Sequence, residues 1–347
     1  MRAWRRPSSW SAPSATSTAE CRSRTHTGAR WSTPVCAISS SAWTSAKAGP
    51  ATGTPCARCA CWIGTSAAVS VLLGTARTRD GLQLRTLRWP AAGVARAYLL
   101  LIHGIAEHAG RHGHVASRLA SAGIETYAFD LRGFGASEGP RAYVDRWSRY
   151  HDDVEDRLTA LRSEAGGQPV VLYGHSMGGL IALGYVLADP RRPDPDLLVL
   201  SAPAIASAGG WRRPLAAVLG RALPRLEIAN RLPPGGLSHD PQIELAYRSD
   251  PLNVHRTTTR LGMELFREQA RVQSRLTRTD ALPIPTYVLH GGDDPVVPVS
   301  SSASLARREN VTRRVYPRLR HEMHNEPEAD AVIGDTIAWL ERSLVKP

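Results

Sequence analysis

The sequence predicts an α/β fold: a mostly parallel central sheet, helices on both of its faces, and a helical cap inserted over one sheet edge. Three observations predict it. Short apolar runs without alternation recur along the chain, as strands buried on both faces do. Amphipathic stretches separate them, which is the rhythm of a parallel sheet with crossover helices. From about 203 to 280 that rhythm stops: prolines cluster at 214, 224, 233, 234, 241 and 251, and no buried strand is readable.

The elements follow in order. An apolar stretch at 62–73, too short to span a bilayer, feeds the first strand. After the turn pair Asp80-Gly81, Leu82 with Leu84 and then Leu87 with Trp89 fall at alternate positions, so this segment reads as a hairpin partner. Residues 98–102, Tyr-Leu-Leu-Leu-Ile, form the first buried strand and end at His103-Gly104. A helix over 114–122 leads to a second buried strand at 124–129, which runs into Asp130-Leu-Arg-Gly-Phe-Gly135. A longer amphipathic helix covers 144–165, and the third buried strand, 169–173, opens at once into Gly174-His-Ser-Met-Gly-Gly179. Further strands are expected at 197–200, 285–289 and 312–316. Within the insertion a helix starts at Pro214, with Leu215, Val218, Leu219, Ala222 and Leu223 on one face, and stops at Pro224. That face either packs on the core or belongs to a lid that lines an acyl tunnel or touches lipid surfaces.

Composition separates the first 75 residues from the rest. They carry a net charge of +7 of the total +12, and all five cysteines (Cys21, Cys36, Cys56, Cys59, Cys61) lie among them. The segment is rich in Ser, Thr, Arg and Trp without periodicity, and its basic start runs into Ser, Thr and Pro rather than an apolar signal core. Residues 1–73 therefore read as an extension, disordered or foreign to the natural product, ahead of a folded body at 74–347. A natural start inside the chain would use Val69, Val71 or Leu72, because no methionine stands between Met1 and Met177. Cys56-Ala-Arg-Cys59 has a zinc-type spacing, but no second pair follows at a suitable distance, so no metal is expected. The body's arginines are scattered among acids rather than gathered in a stripe, which argues against nucleic-acid binding. With no export signal readable, a cytoplasmic or membrane-peripheral location is the default expectation.

The candidate chemistry centres on Ser176. Gly-x-Ser-x-Gly is a weak signal by itself, but here a buried strand precedes it and an apolar helix follows without a linker. So tight a turn needs glycine where a Cβ would clash, at Gly174 and Gly178. It pushes Ser176 out at its tip and leaves the Met177 amide at a helix N-terminus without an internal partner. A serine hydroxyl needs a base that is itself oriented by an acid. Those partners are expected at later strand ends, in the order acid, then His. Asp294 is preferred to Asp293 because it stands just before the turn-forming Pro295, and His321 is preferred to His324 because it is nearer its strand end. The second oxyanion donor is expected from the His103-Gly104 turn, as the amide of Ile105; one such donor is worth ~3 to 4 kcal/mol in the transition state.

Four segments carry a family likeness: His103-Gly-Ile-Ala-Glu-His-Ala-Gly-Arg111, Asp130-Leu-Arg-Gly-Phe-Gly-Ala-Ser137, Gly174-His-Ser-Met-Gly-Gly179 and Arg320-His-Glu-Met-His-Asn-Glu326. Together with Leu237-Ser-His-Asp-Pro and Tyr247-Arg-Ser-Asp-Pro-Leu252 they resemble the monoacylglycerol lipase and lysophospholipase branch of the α/β-hydrolase superfamily. The resemblance implies the α/β-hydrolase fold and a serine carboxylester hydrolase acting on single-chain lipid esters through an acyl-enzyme, with no cofactor. It implies Ser176 as nucleophile, Asp294 as acid, His321 as base, and Ile105 and Met177 as the oxyanion hole. Glu107, His108 and Arg111 are expected to form a structural network below the site. His112 departs from the tyrosine usual in that branch. Two other readings stand beside this one: an α/β-hydrolase for a smaller ester, thioester or peptide, and a non-catalytic binding protein. The cap is where peripheral membrane contact is expected.

Overall fold

The computed structural model describes residues 70–206 and 212–344. Residues 1–69, with the cysteine pair and nearly all of the expected extension, lie outside the described residues. An eight-stranded sheet runs β1 (Leu72–Arg77), β2 (Gln83–Trp89), β4 (Ile124–Phe129), β3 (Ala97–Ile102), β5 (Val170–His175), β6 (Leu197–Ser201), β9 (Ala281–Gly291), β10 (Glu309–Tyr316) from edge to edge. The β1–β2 and β2–β4 pairs are antiparallel, and every later pair is parallel. β1 starts at Leu72, where it pairs with Arg88, two residues before the expected boundary at Gly74.

Alternate residues of the central strands serve two cores. Leu100, Ile102, Leu172, Leu198, Leu200 and Val288 point to one face, against α2 (Ser148–Ala165), α3 (Met177–Val186) and α6 (Thr259–Leu276). Leu99, Leu101, Val171, Tyr173, Val199 and Leu289 point to the other, against α1 (Gly113–Ser121) and α7 (Ala329–Leu344). Burial on both faces is why these strands carry no polar alternation. α2 begins four residues later than the periodicity suggests. Val144 and Trp147 are buried, but as loop residues ahead of the first turn, where the Trp147 amide donates to Glu264 Oε2 at 3.1 Å.

The insertion between β6 and β9 contains α4 (Arg212–Ala222), α5 (Pro241–Ser249) and α6, together with a short antiparallel ribbon of β7 (Glu227–Ala229) and β8 (Arg256–Thr258). Strands of three largely exposed residues leave no apolar period to read. α4 meets α6 through its small residues: a Cβ on Gly220 would lie 2.6 Å from Met263 Cβ. Leu215, Val218 and Leu223 are exposed instead of packing on the core. Among the described residues, no helix is long and apolar enough to cross a membrane.

Candidate active site

β5 feeds α3 through one residue, Ser176, held at φ 54°, ψ −116°. A positive φ in a non-glycine residue costs on the order of 1–3 kcal/mol and persists only where the surroundings enforce it. Here the Ser176 amide donates to Ser201 O at 2.9 Å, while its carbonyl accepts from Ala204 N and Leu180 N. The glycines are needed for contact as well as for freedom. A Cβ on Gly174 would lie 2.4 Å from Gly178 O, and one on Gly178 would lie 2.2 Å from Ile102 O. The elbow is thus wedged against β3, and the Met177 N–H begins α3 with no acceptor of its own among the described residues.

Asp294 and His321, the expected acid and base, come from two loops pressed together. Gly291 and Gly292 end β9 so close to the next turn that a Cβ on either would lie 2.3 Å from a carbonyl of residues 317–320. His321 Nδ1 and Asp294 Oδ2 are 2.7 Å apart. The other carboxylate oxygen, Oδ1, accepts from the amides of Val296 and Val297, both at 2.8 Å. Burial penalises the Asp294 charge, but the neighbouring His321, His290 and Val297 amide reverse that effect and hold its pKa well below the usual carboxylate range. Burial likewise disfavours protonated His321, yet the Asp294 charge and hydrogen bond leave its pKa above the ordinary histidine value. Asp293 makes no such contact; its amide donates to Leu319 O at 3.1 Å. His324 is buried behind the site, stacked on His112 with ring centroids 4.7 Å apart, and burial holds its pKa well below the ordinary histidine value.

The turn after β3 faces the elbow: a Cβ on Gly104 would lie 3.1 Å from Ser176 Cβ. Ala106, at φ 67°, bends the chain onward, and the Ile105 N–H, like that of Met177, has no acceptor among the described residues. The turn is held from beneath by Glu107, whose Oε1 accepts from Gly104 N at 2.5 Å and lies 3.1 Å from His112 Nε2. Burial opposes the Glu107 charge, but its surroundings, with the His112 hydrogen bond and the nearby Arg111 guanidinium, hold its pKa far below normal. Ser176, His321, Gly104, Ile105, Leu237 and Tyr247 line one cavity of about 130 Å³. No hydrogen bond joins Ser176 Oγ to His321 Nε2 among the described residues; in a resting site that bond is commonly long and tightens on substrate binding. A serine hydroxyl and an oriented imidazole on one cavity, with the free N–H groups of Ile105 and Met177 on either side of the elbow, have the make-up that attack on an acyl carbon requires. Among the described residues, no His, Cys, Asp and Glu cluster could hold a metal.

A family profile described as serine aminopeptidase, S33, matches residues 93–328. The monoacylglycerol lipase of Mycolicibacterium smegmatis is 36% identical over 259 residues, which is 73% of this chain and 90% of that protein. The chain belongs to the monoacylglycerol lipase branch of the α/β-hydrolases. Its solved neighbours in that branch include the Paleococcus ferrophilus monoacylglycerol lipase, at 28% identity and TM-score 0.65 over 75% of this chain and 99% of that one. A soluble variant of the Saccharomyces cerevisiae monoglyceride lipase, crystallised with a substrate analog, shares the fold at TM-score 0.71 and 22% identity, over 82% and 99% of the two chains. Membership makes this α/β-hydrolase a serine hydrolase.

Several supports of the site were not legible in the sequence of this α/β-hydrolase. His290 lies 3.4 Å from Asp294 Oδ2 and anchors on Val297 O and Ser302 Oγ. Glu326 ties the His321 loop to the cap, accepting from the Arg320 amide and His239 amide at 2.7 Å and from Ser238 Oγ at 2.9 Å. The expected network of Glu107, His108 and Arg111 divides in two. Arg111 joins Glu107 to Glu322, whereas His108 leaves it for Asp250 of the cap, 2.9 Å away. Gly291-Gly292 was the one sequence signal of the loop contact, since adjacent glycines after a strand mark close backbone approach.

Proposed function

We propose that the protein hydrolyses the carboxylic ester of single-chain lipids, monoacylglycerols foremost, through an acyl-enzyme on Ser176. The observation that carries the reading is the His321–Asp294 pair, 2.7 Å apart, opening onto the same cavity as Ser176. Relatives across most of this chain's length are named as monoacylglycerol lipases. Ser176 Oγ attacks the acyl carbon while His321 Nε2 takes its proton; the Ile105 and Met177 amides receive the oxyanion. Collapse expels glycerol, which leaves with the proton from His321. Water then attacks the acyl-enzyme with His321 again as base, releasing the fatty acid and restoring Ser176. Asp294 fixes the tautomer and stabilises the imidazolium.

In this reading the catalytic unit is the body from β1 onward, with residues 203–280 as its cap. A cleft of about 620 Å³ lined by Leu215, Leu219, Ile228 and Phe266 receives the acyl chain. Exposed Val218, Leu223, Leu226 and Ile228 would dip into a lipid surface beside it. The test is a chain-length series of 1-monoacylglycerols and p-nitrophenyl esters. Rising kcat/KM toward long chains, with activity lost in Ser176→Ala, supports the proposal. A preference for the shortest esters would move the substrate to the smaller-ester class.

A further inference from the structure

We infer that the cavity walled by α2, α6 and the loop at 188–193 is a second binding site, for a phosphorylated sugar or similar polyol phosphate. The cavity has a volume of about 530 Å³ and shares no lining residue with the one over Ser176. Two stripes of side chains build it. Trp147, His151 and Glu155, four residues apart at the start of α2, face Glu268, Arg271 and Arg275, three and four apart on α6. The loop brings Arg191 and Arg192 to the same space. It is pinned there by Tyr185 of α3, whose hydroxyl donates to Pro193 O at 2.8 Å.

The base of the cavity is buried and polar. His151 is 7% exposed and Glu268 1%, and both line the cavity. His151 Nε2 and Glu268 Oε1 lie 3.8 Å apart, too far for a hydrogen bond, and neither atom has a partner among the described residues. Gly184 of α3 makes room for both, since a Cβ there would lie 2.4 Å from that carboxylate oxygen and 3.2 Å from the imidazole nitrogen. Buried polar atoms are costly to leave unpaired, and a ligand hydroxyl, donor and acceptor at once, satisfies the two together. The rim supplies cations. The half-buried Arg275 guanidinium has no acceptor and no carboxylate partner among the described residues. Arg192 is held by Asp152 and Glu155, Arg191 by Asp194 and Arg271 by Glu268, each with N–H donors to spare. Asp189, exposed at the rim, is the one lining acid without an arginine partner among the described residues. Burial and then the charges of Arg192, Arg275 and Arg271 push the His151 pKa down to about 3, so the imidazole is neutral and lies in a positive field. Guanidinium forks match phosphate oxygens with paired N–H donors, and a volume of about 530 Å³ leaves space beside the phosphate for its polyol.

The experiment is calorimetric titration of the full chain with ribose 5-phosphate, inorganic phosphate and free ribose. Ribose 5-phosphate is expected to bind one per chain and to weaken with added salt. Inorganic phosphate should bind at least tenfold more weakly, because it lacks the hydroxyls, and free ribose should give no detectable heat. Arg275→Gln should weaken ribose 5-phosphate by about tenfold, the size of one charge-assisted contact at a partly exposed position; Arg275→Lys should restore part of the affinity. Arg278→Gln, exposed just beyond α6 and outside the cavity, is the control for a general loss of charge and should stay within about twofold of wild type, by analogy with other exposed sites. Thermal unfolding of each variant confirms that it is folded. No binding of ribose 5-phosphate by the wild type overturns the inference, and so does inorganic phosphate binding as tightly as the sugar phosphate, which would remove the hydroxyl contact. An affinity unchanged in Arg275→Gln, or an equal fall in Arg278→Gln, would place the ligand elsewhere and overturn it too.

Discussion

Replacing Asp294 by Asn should disable the site while leaving the fold in place, and the geometry says why. Oδ1 of Asp294 accepts two backbone N–H groups, from Val296 and Val297, at 2.8 Å each, and Oδ2 faces His321 Nδ1 at 2.7 Å. An asparagine keeps its oxygen toward the two amides, because turning its NH2 there would oppose donor to donor. Its NH2 must then donate to His321 Nδ1. That forces the proton onto Nε2, the atom that has to receive the Ser176 proton. The loss combines a wrong tautomer with the missing carboxylate charge and should reach about 10⁴ in kcat, equivalent to ~5.4 kcal/mol at 1.36 kcal/mol per decade. The assay is fatty-acid release from a monoacylglycerol, with thermal unfolding followed in parallel. Asp293→Asn, made at the neighbour that lacks the His321 contact, should stay within about threefold. A folded Asp294→Asn that keeps more than a tenth of wild-type kcat would refute the assignment of acid and base.

Three further outcomes are expected. Gly178→Ala places a methyl 2.2 Å from Ile102 O and 2.6 Å from His103 O; both obstacles are backbone, so about 2–3 kcal/mol should be lost, seen as a fall in Tm of roughly 5–10 °C, and an unchanged Tm would disprove the close approach. The pH profile of kcat/KM should have its acid limb above the ordinary histidine value of about 6.5, since Asp294 raises the His321 pKa and only neutral His321 can act as base. By the same shift His321 stabilises the fold below that pH, and the contribution is lost as pH rises through its folded pKa; a limb below pH 6 contradicts the pairing. Val218→Asp, on the exposed side of α4, should weaken binding to liposomes at least fivefold more than turnover of a soluble short ester, whereas equal losses would indicate damage to the fold.

The central sheet was legible because β3, β5 and β6 are buried on both faces and therefore read as unbroken apolar runs. Ser176 was legible because two glycines flank a strand-to-helix junction, and Asp294 and His321 because each follows a strand end. What escaped depends on distant partners. His290 and Glu326 are unremarkable in the sequence, and acquire their roles only when β9, β10 and the cap converge. The ribbon of β7 and β8 is too short and too exposed to leave a periodic trace. The apolar stripe of α4 was visible, but whether it faced protein or solvent was decided by Gly220, whose missing side chain lets the opposite face of the helix close on Met263.

The mechanism stands on Ser176 as the nucleophile of a lipid esterase. Treating the purified protein with a fluorophosphonate and mapping the adduct by peptide mass spectrometry tests it most directly. One adduct per chain, on Ser176, abolished in Ser176→Ala and lost together with monoacylglycerol hydrolysis, is the predicted result. A folded, unlabelled wild type, or an adduct on any other serine, would contradict it.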